Sequence, residues 1–226
     1  MPAETKLWHL EEFDLFMGLS DSEKDYLKSK IQELELDKND YVYLPQDSSS
    51  NIYFLKSGRV KLGSFTDGSK KVVKAILNPG ELFGLLGLFG EDKRTDFVQA
   101  LVNDVVLHTI KIKDMEPLLE RNEGLKSRMI KYVIHRFDRI EKRLEAIIYK
   151  DARTRIVDFL KEMADEIGEP AAGETYIRNY LTHNDIANLT ATSRQTVTTV
   201  LNELRAKDLI YFDRTRILIR DLTKLN

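Results

Sequence analysis

LTHNDIANLTATSRQTVTTVLNELRAKDLI, residues 181–210, is the stretch on which the reading of the chain turns. Thr182 and Asp185 form a T-x-x-D capping box, so a helix starts at HNDIANL with Ile186 and Leu189 on one face. TAT at 190–192 makes a turn. Ser193 can cap a second helix, RQTVTTVLNELRAK, whose inner face is Val197, Val200, Leu201 and Leu204. Two helices joined by a three-residue turn over 182–206 describe a helix-turn-helix. Its second helix would lie in the major groove with its N-terminal residues on base edges. Arg194 and Gln195 stand at that helix start, and Thr199 lies one turn on from Gln195. Arginine pairs bidentately with guanine and glutamine with adenine. Ser193, Thr196 and the helix N-terminus can hold phosphate, and Thr182 joins the DNA-binding set.

The alternative is an ordinary helical hairpin with a polar face. The residues beyond the second helix argue against it. DLIYFDRTRILIRDL reads as a two-stranded hairpin, which makes the unit a winged helix-turn-helix with Arg214 and Arg216 at the wing tip, in reach of backbone phosphate. Residues 151–226 hold eleven Lys/Arg against twelve Asp/Glu, so a DNA face there must be polarised. Within this region RTRIVDFLKEMADEI reads as an amphipathic helix, GEPAAGE at 168–174 as a loop, and TYIRNYL as a strand.

Upstream, residues 114–149 carry a helical period. Ile130, Val133, Phe137, Ile140, Leu144 and Ile147 alternate steps of three and four, an a/d seam. Such a stripe can also pack on its own domain. From 117 to 150 nine Lys/Arg face five acids, and that crowding of the other faces favours a seam between two copies. Residues 40–112 are β-rich: YVYL at 41–44, NIYFL at 51–55, RVKLGSF at 59–65, KVVKAIL at 71–77, DFVQALV at 96–102 and VVLHTIKI at 105–112. Seven of the eleven glycines, Gly68 among them, fall here as turn markers. Short strands at this spacing suggest a β-sandwich or barrel. Residues 6–33 read as helical, with a helix start at the Ser20–Glu23 capping box.

Composition sets limits. The chain has 226 residues, 42% of them hydrophobic, a net charge of −2 and no cysteine. Without cysteine there are no disulfides, thiolate zinc sites or cysteine-ligated iron–sulfur clusters. No apolar run is long enough for a transmembrane helix, and MPAETKLWHLEEF is not a secretory signal, so a soluble cytoplasmic protein is expected. The chain shows no G-x-S-x-G, Walker loop or H-E-x-x-H, and its four histidines are scattered, so nothing positive points to an enzyme.

These pieces resemble the Crp/Fnr regulator family. The helix-turn-helix stretch does so, and NIYFLKSGRVKL, LNPGELFGLLGLF and KRTDFVQA resemble the family's cyclic-nucleotide-binding β-roll. The resemblance implies an α+β architecture: an N-terminal antiparallel β-roll or jelly-roll over 1–114, a long dimerisation helix over 115–150, and a winged helix-turn-helix over 151–226. It implies a homodimer on a near-palindromic operator, with RNA polymerase as a further partner. A cyclic-nucleotide receptor module acting on a protein is the alternative, and the winged helix argues against it.

The departures bear on the effector. Cyclic-AMP-binding members place a glutamate after the glycine of F-G-E-L, where it holds the ribose hydroxyl; here Gly84 is followed by Leu85. The family's phosphate-binding pair matches Arg94 and Thr95, which suit a small anionic effector, although a surface ion pair of Arg94 with Glu91 or Asp92 is the competing reading. The adenine-contacting positions of the long helix fall at Ile140 and Glu141. Cyclic AMP is therefore a doubtful ligand. Haem through His108 or His135 is conceivable, but a lone histidine is more often structural. Gln195 replaces a common glutamate, shifting the preference from cytosine toward adenine, and Thr199 replaces a common arginine.

Overall fold

The computed structural model describes residues 14–66, 70–171 and 173–225, which divide into two compact units at Arg139/Ile140. Residues 6–13 of the expected N-terminal helix, and the turn at Gly68, lie outside the described residues. Helix α1 (Asp21–Lys30) starts where the capping box places it: Ser20 Oγ accepts the Glu23 N–H, and Glu23 returns its carboxylate to the Ser20 N–H. The helix stops early, however. Asp14–Phe16 form only a 3-10 turn, and Gln32 and Glu33 open strand β1 (Gln32–Leu36) rather than close the helix. Ile31 turns extended, after which Leu34 and Leu36 pack on the sheet core while Glu33 and Glu35 alternate with them.

The first unit continues with β2 (Tyr41–Tyr43), β3 (Asn51–Ser57), β4 (Val60–Phe65), β5 (Lys71–Leu77), β6 (Leu82–Phe83), β7 (Phe97–Ala100) and β8 (Val105–Lys111). They build two antiparallel sheets, ordered β1-β8-β3-β6 and β2-β7-β4-β5. The expected β-roll is this pair. Strand β3 is buried on both faces, and its period of two divides the core. Tyr53 and Leu55 join Val60, Phe83, Val98 and Leu107 in one cluster. Ile52 and Phe54 join Leu27, Ile110, Met115 and Leu125 in the other.

The helix expected over 115–150 is two helices, α2 (Ile112–Arg121) and α3 (Glu123–Tyr149). Asn122 divides them. Its side-chain carbonyl accepts the Leu125 N–H at 2.8 Å, a cap that starts α3, and its amide donates to Glu23 Oε1 at 2.8 Å. No helix among the described residues is long and apolar enough to cross a membrane.

The second unit holds α4 (Ala152–Ile167), β9 (Glu169–Ala171), β10 (Glu174–Arg178), α5 (His183–Leu189), α6 (Arg194–Ala206), β11 (Ile210–Phe212) and β12 (Arg216–Ile219). Its sheet order is β11-β12-β10-β9. The stretch expected as a loop at 168–174 contains β9, with Pro170 tolerated because the strand is an edge. Ile156, Leu160, Ile177, Ile186, Val197, Leu201, Ile217 and Ile219 are buried in this unit.

Candidate nucleic-acid interface and effector pocket

Both helix starts of the helix-turn-helix are held by the caps the sequence announced. Thr182 Oγ1 accepts the Asp185 N–H at 3.1 Å, and Asp185 Oδ2 accepts the Thr182 N–H at 2.9 Å. Thr182 also donates its hydroxyl to Asp185 at 2.7 Å, so that group is taken up within the box. Ser193 Oγ accepts the Thr196 N–H at 3.0 Å, and the two hydroxyls pair at 2.8 Å. Ala191 supplies the sharp turn with φ of 50°, and Thr192 N–H closes it on the Ala187 carbonyl at 2.8 Å.

Helix α6 buries Val197, Val200, Leu201 and Leu204. That rotation sets Arg194, Gln195 and Thr199 outward, exposed and without an intramolecular side-chain partner among the described residues. Asn202 extends the row Gln195–Thr199 by one further turn and is also exposed, a position that helical spacing alone would have flagged. His183, at the first position of α5, bonds Thr198 at 2.9 Å; burial and the nearby Arg194 both lower its pKa.

The wing arginines differ. Arg216 Nε donates to Asp213 at 2.9 Å, and its guanidinium lies 5.3 Å from the Tyr211 ring. Asp213 is pulled down to about 2, chiefly by the Thr215 amide and hydroxyl and then by Arg216. Arg214 is exposed and has no such partner among the described residues. Arg155 on α4 was not singled out from sequence. Its guanidinium donates to Thr190 O at 2.8 Å, Ala191 O at 3.0 Å and Lys150 O at 2.6 Å, and so holds the turn of the motif from below. No local pattern signals it, because its partners are backbone carbonyls.

The candidate effector residues are only partly brought together. Arg94 is 1% exposed, which overturns the surface ion pair with Glu91 or Asp92, both of them exposed. Nη1 donates to Gly84 O at 2.9 Å and Nη2 to Asn51 O at 2.5 Å. The guanidinium sits 4.5 Å from the Tyr43 ring centroid and 5.8 Å from that of Tyr53. Gly84 has φ of 80°, and a Cβ there would stand 3.0 Å from Arg94 Nη1 and from Asn51 O, so the bare backbone is what admits the arginine. Arg94 Nε has no partner among the described residues. Asp96, half-buried nearby, is pushed up by desolvation while Lys74 and Arg94 oppose that shift. Thr95 is exposed. Leu85 packs on the apolar cluster of Ile52 and Ile112. Ile140 and Glu141 are exposed positions of α3 and belong to the second unit.

Residues 33–122 match the family model of the cyclic nucleotide-binding domain, and residues 154–226 that of the Crp-like helix-turn-helix domain. The chain belongs to the Crp/Fnr family of transcriptional regulators. It is a DNA-binding regulator and not an enzyme. Among relatives, the Global nitrogen regulator of Nostoc sp. is 29% identical over 184 residues, covering 81% of this chain and 82% of that one. The CRP-like cAMP-activated global transcriptional regulator of Mycobacterium tuberculosis is 22% identical over 211 residues, covering 93% and 94%. The structure of FixK2 from Bradyrhizobium japonicum shares the fold, with a TM-score of 0.75 at 18% identity over 86% of this chain and 95% of that one.

In this Crp/Fnr regulator, the long helix leaves an apolar face uncovered. Ile130, Phe137, Ile140, Leu144 and Ile147 of the expected seam are exposed, Phe137 at 58%, Ile140 at 60% and Leu144 at 57%. Val133 is half-buried instead, and Ile134 and Ile148 add to the exposed face. Packing of the stripe on its own domain is thus not what the chain does. Within the first unit, Tyr132 pins α3 to β6: its hydroxyl donates to Leu82 O at 2.8 Å and accepts the Leu82 N–H at 3.0 Å. Strand β6 leads directly into Gly84.

Proposed function

We propose that this regulator binds DNA as a symmetric homodimer. Helix α6 reads base edges through Arg194, Gln195 and Thr199. Ser193, Thr196 and the wing residues Arg214 and Arg216 position the backbone, while Thr182 contributes by capping the start of α5. The observation that carries this reading is the outward trio Arg194, Gln195 and Thr199 on α6, whose side chains have no hydrogen-bond or ion-pair partner among the described residues. The exposed face of α3 supports dimerisation, since a contiguous apolar face of this kind on a soluble chain marks an interaction surface. Two-fold pairing makes the operator a near-palindrome with half-sites about one helical turn, roughly 34–36 Å, or a multiple of that apart. The protein would work in the cytoplasm, with RNA polymerase as the partner that turns occupancy into regulation.

Arg94 is the proposed receptor for a small anionic effector. A guanidinium has five N–H donors, and here two are bonded to carbonyls; Asp96 is the nearby carboxylate on which Arg94 acts electrostatically, and no salt bridge joins the arginine to a carboxylate among the described residues. A buried cation held this way favours an arriving anion. Its hold on Gly84 and the Tyr132–Leu82 pair form a continuous route from that site to α3. Cyclic AMP is a poor candidate. Leu85 offers no acceptor to a ribose hydroxyl and is turned to an apolar cluster.

The test is selection of duplexes from a random pool by the purified protein, and then titration of the enriched sequence. Enrichment of a near-palindrome bound by two chains supports the reading. A protein that enriches no sequence overturns it.

A further inference from the structure

A second polar cleft lies on the other side of Asn51. It has a volume of about 140 Å³ and is walled by the end of α1, edge strand β1, the β3–β8 pair and the first turn of α2. Lys30, Gln32, Asn51, Thr109, Lys111 and Asp114 line it, with no apolar side chain among its lining residues. Register explains the grouping: Gln32 opposes Thr109, and Asn51 opposes Lys111, so neighbouring strands bring these side chains to one face.

Their hydrogen-bonding capacity is unmet. Thr109 is a lining residue of the cleft, and its hydroxyl is shielded from solvent with no partner among the described residues. The carboxamides of Gln32 and Asn51 and the ammonium of Lys111 likewise bond to no other described residue. Lys111 is the N-cap of α2 and provides no side-chain cap. The Ile112 N–H goes to Ser50 O at 2.9 Å, and the next amides of this ten-residue helix are the donors a helix start leaves open. Lys30 forms a long ion pair with Asp114 at 4.0 Å and lies 5.7 Å from the Tyr26 ring centroid, so the lining sets two lysines against one carboxylate.

We propose that this cleft binds a small oxyanion, a phosphate or short carboxylate, gripped by Lys30 and Lys111, the Gln32 and Asn51 amides, the open first turn of α2 and the Thr109 hydroxyl, which a rotation about χ1 turns into the cleft. Positive charge, donors and a helix start converge there, the combination that recognises an anion. The cleft does not depend on Arg94 or on DNA, yet it shares a residue with the proposed effector site. Asn51 lines the cleft and gives its carbonyl to Arg94. An anion on one side of β3 would thus bear on the mounting of the arginine on the other.

The experiment is calorimetric titration of the full chain with inorganic phosphate, and separately with acetate, at low ionic strength and without DNA. Saturable binding of either anion at about 1 mM or tighter is expected, weakened at least about tenfold in Lys30→Met/Lys111→Met. Thr109→Val, which keeps shape and β propensity, should also weaken it. Lys38→Met/Lys126→Met makes the same change in charge at exposed sites elsewhere and should leave it intact. The proposal is overturned if neither anion binds below about 20 mM, or if the Lys30/Lys111 and Lys38/Lys126 doubles behave alike. Because no arm uses DNA, failure here would leave the DNA-binding reading standing, and success would not prove it.

Discussion

Replacing Phe137 and Leu144 of α3 with glutamate should take the proposed dimer apart. Both side chains are more than half exposed in the single chain, 58% and 57%, so pairing has that much apolar surface to remove from water. Full burial of such a side chain stabilises by about 1.5–3 kcal/mol, and the half still exposed therefore contributes about 1 kcal/mol each. Two sites in each of two copies make about 4 kcal/mol, or roughly a thousandfold in the dissociation constant. Four carboxylates brought together on one seam add repulsion and desolvation to that loss. The fold should be untouched, because neither residue contributes to a buried cluster. Sedimentation equilibrium of the double variant is the assay, with circular dichroism as the check on folding. Monomers over the concentrations at which the parent is dimeric are expected, together with loss of tight operator binding. An unchanged dimer would show that the chain pairs through some other surface.

Arg155→Met should destabilise the second unit by about 2 kcal/mol, since one charged bond to the motif's turn is partly buried and two are exposed; faster hydrogen exchange in α5 and α6 reads this, and protection within about 0.5 kcal/mol of the parent would refute the clamp. Arg214→Ala should weaken binding across sequences and shallow the salt slope by about one, whereas Asp213→Asn, which keeps the turn acceptor and frees Arg216, should strengthen non-specific binding; anisotropy at several salt concentrations separates these. Asp213 has its folded pKa depressed from 3.8 to about 2, so its contribution to the wing is fully present above pH 3.8 and is lost as pH falls through about 2. A carboxyl resonance of Asp213 titrating near 3.8 would contradict that. Cyclic AMP and cyclic GMP should show weak or no binding by calorimetry, and micromolar or tighter cyclic AMP binding would mean that Leu85 matters less than argued.

The DNA-binding motif was legible because its signals are local: two caps at Thr182 and Ser193, a short turn, and an apolar spacing that fixes the face of α6. The elements that were not legible depend on distant partners. Gln32 and Glu33 look like the tail of a helix until Leu34 and Leu36 find the sheet core. The break at Asn122 carries no proline and is made by a cap and a bond to Glu23, 99 residues away in sequence. Arg94, between Lys93 and Thr95, reads as well for a surface ion pair as for an anion ligand; only the carbonyls of Gly84 and Asn51 and the rings of Tyr43 and Tyr53 decide that it is buried. Arg155 is one more polar residue on an amphipathic helix until the turn above it is in place.

Sequence selection repeated with Arg194→Ala tests the central claim most directly. The parent should enrich a near-palindrome, and the variant should lose preference at one base pair per half-site while binding that site about 1–3 kcal/mol more weakly. If the variant enriches the same sequences with the same affinity, α6 is not the helix that reads DNA.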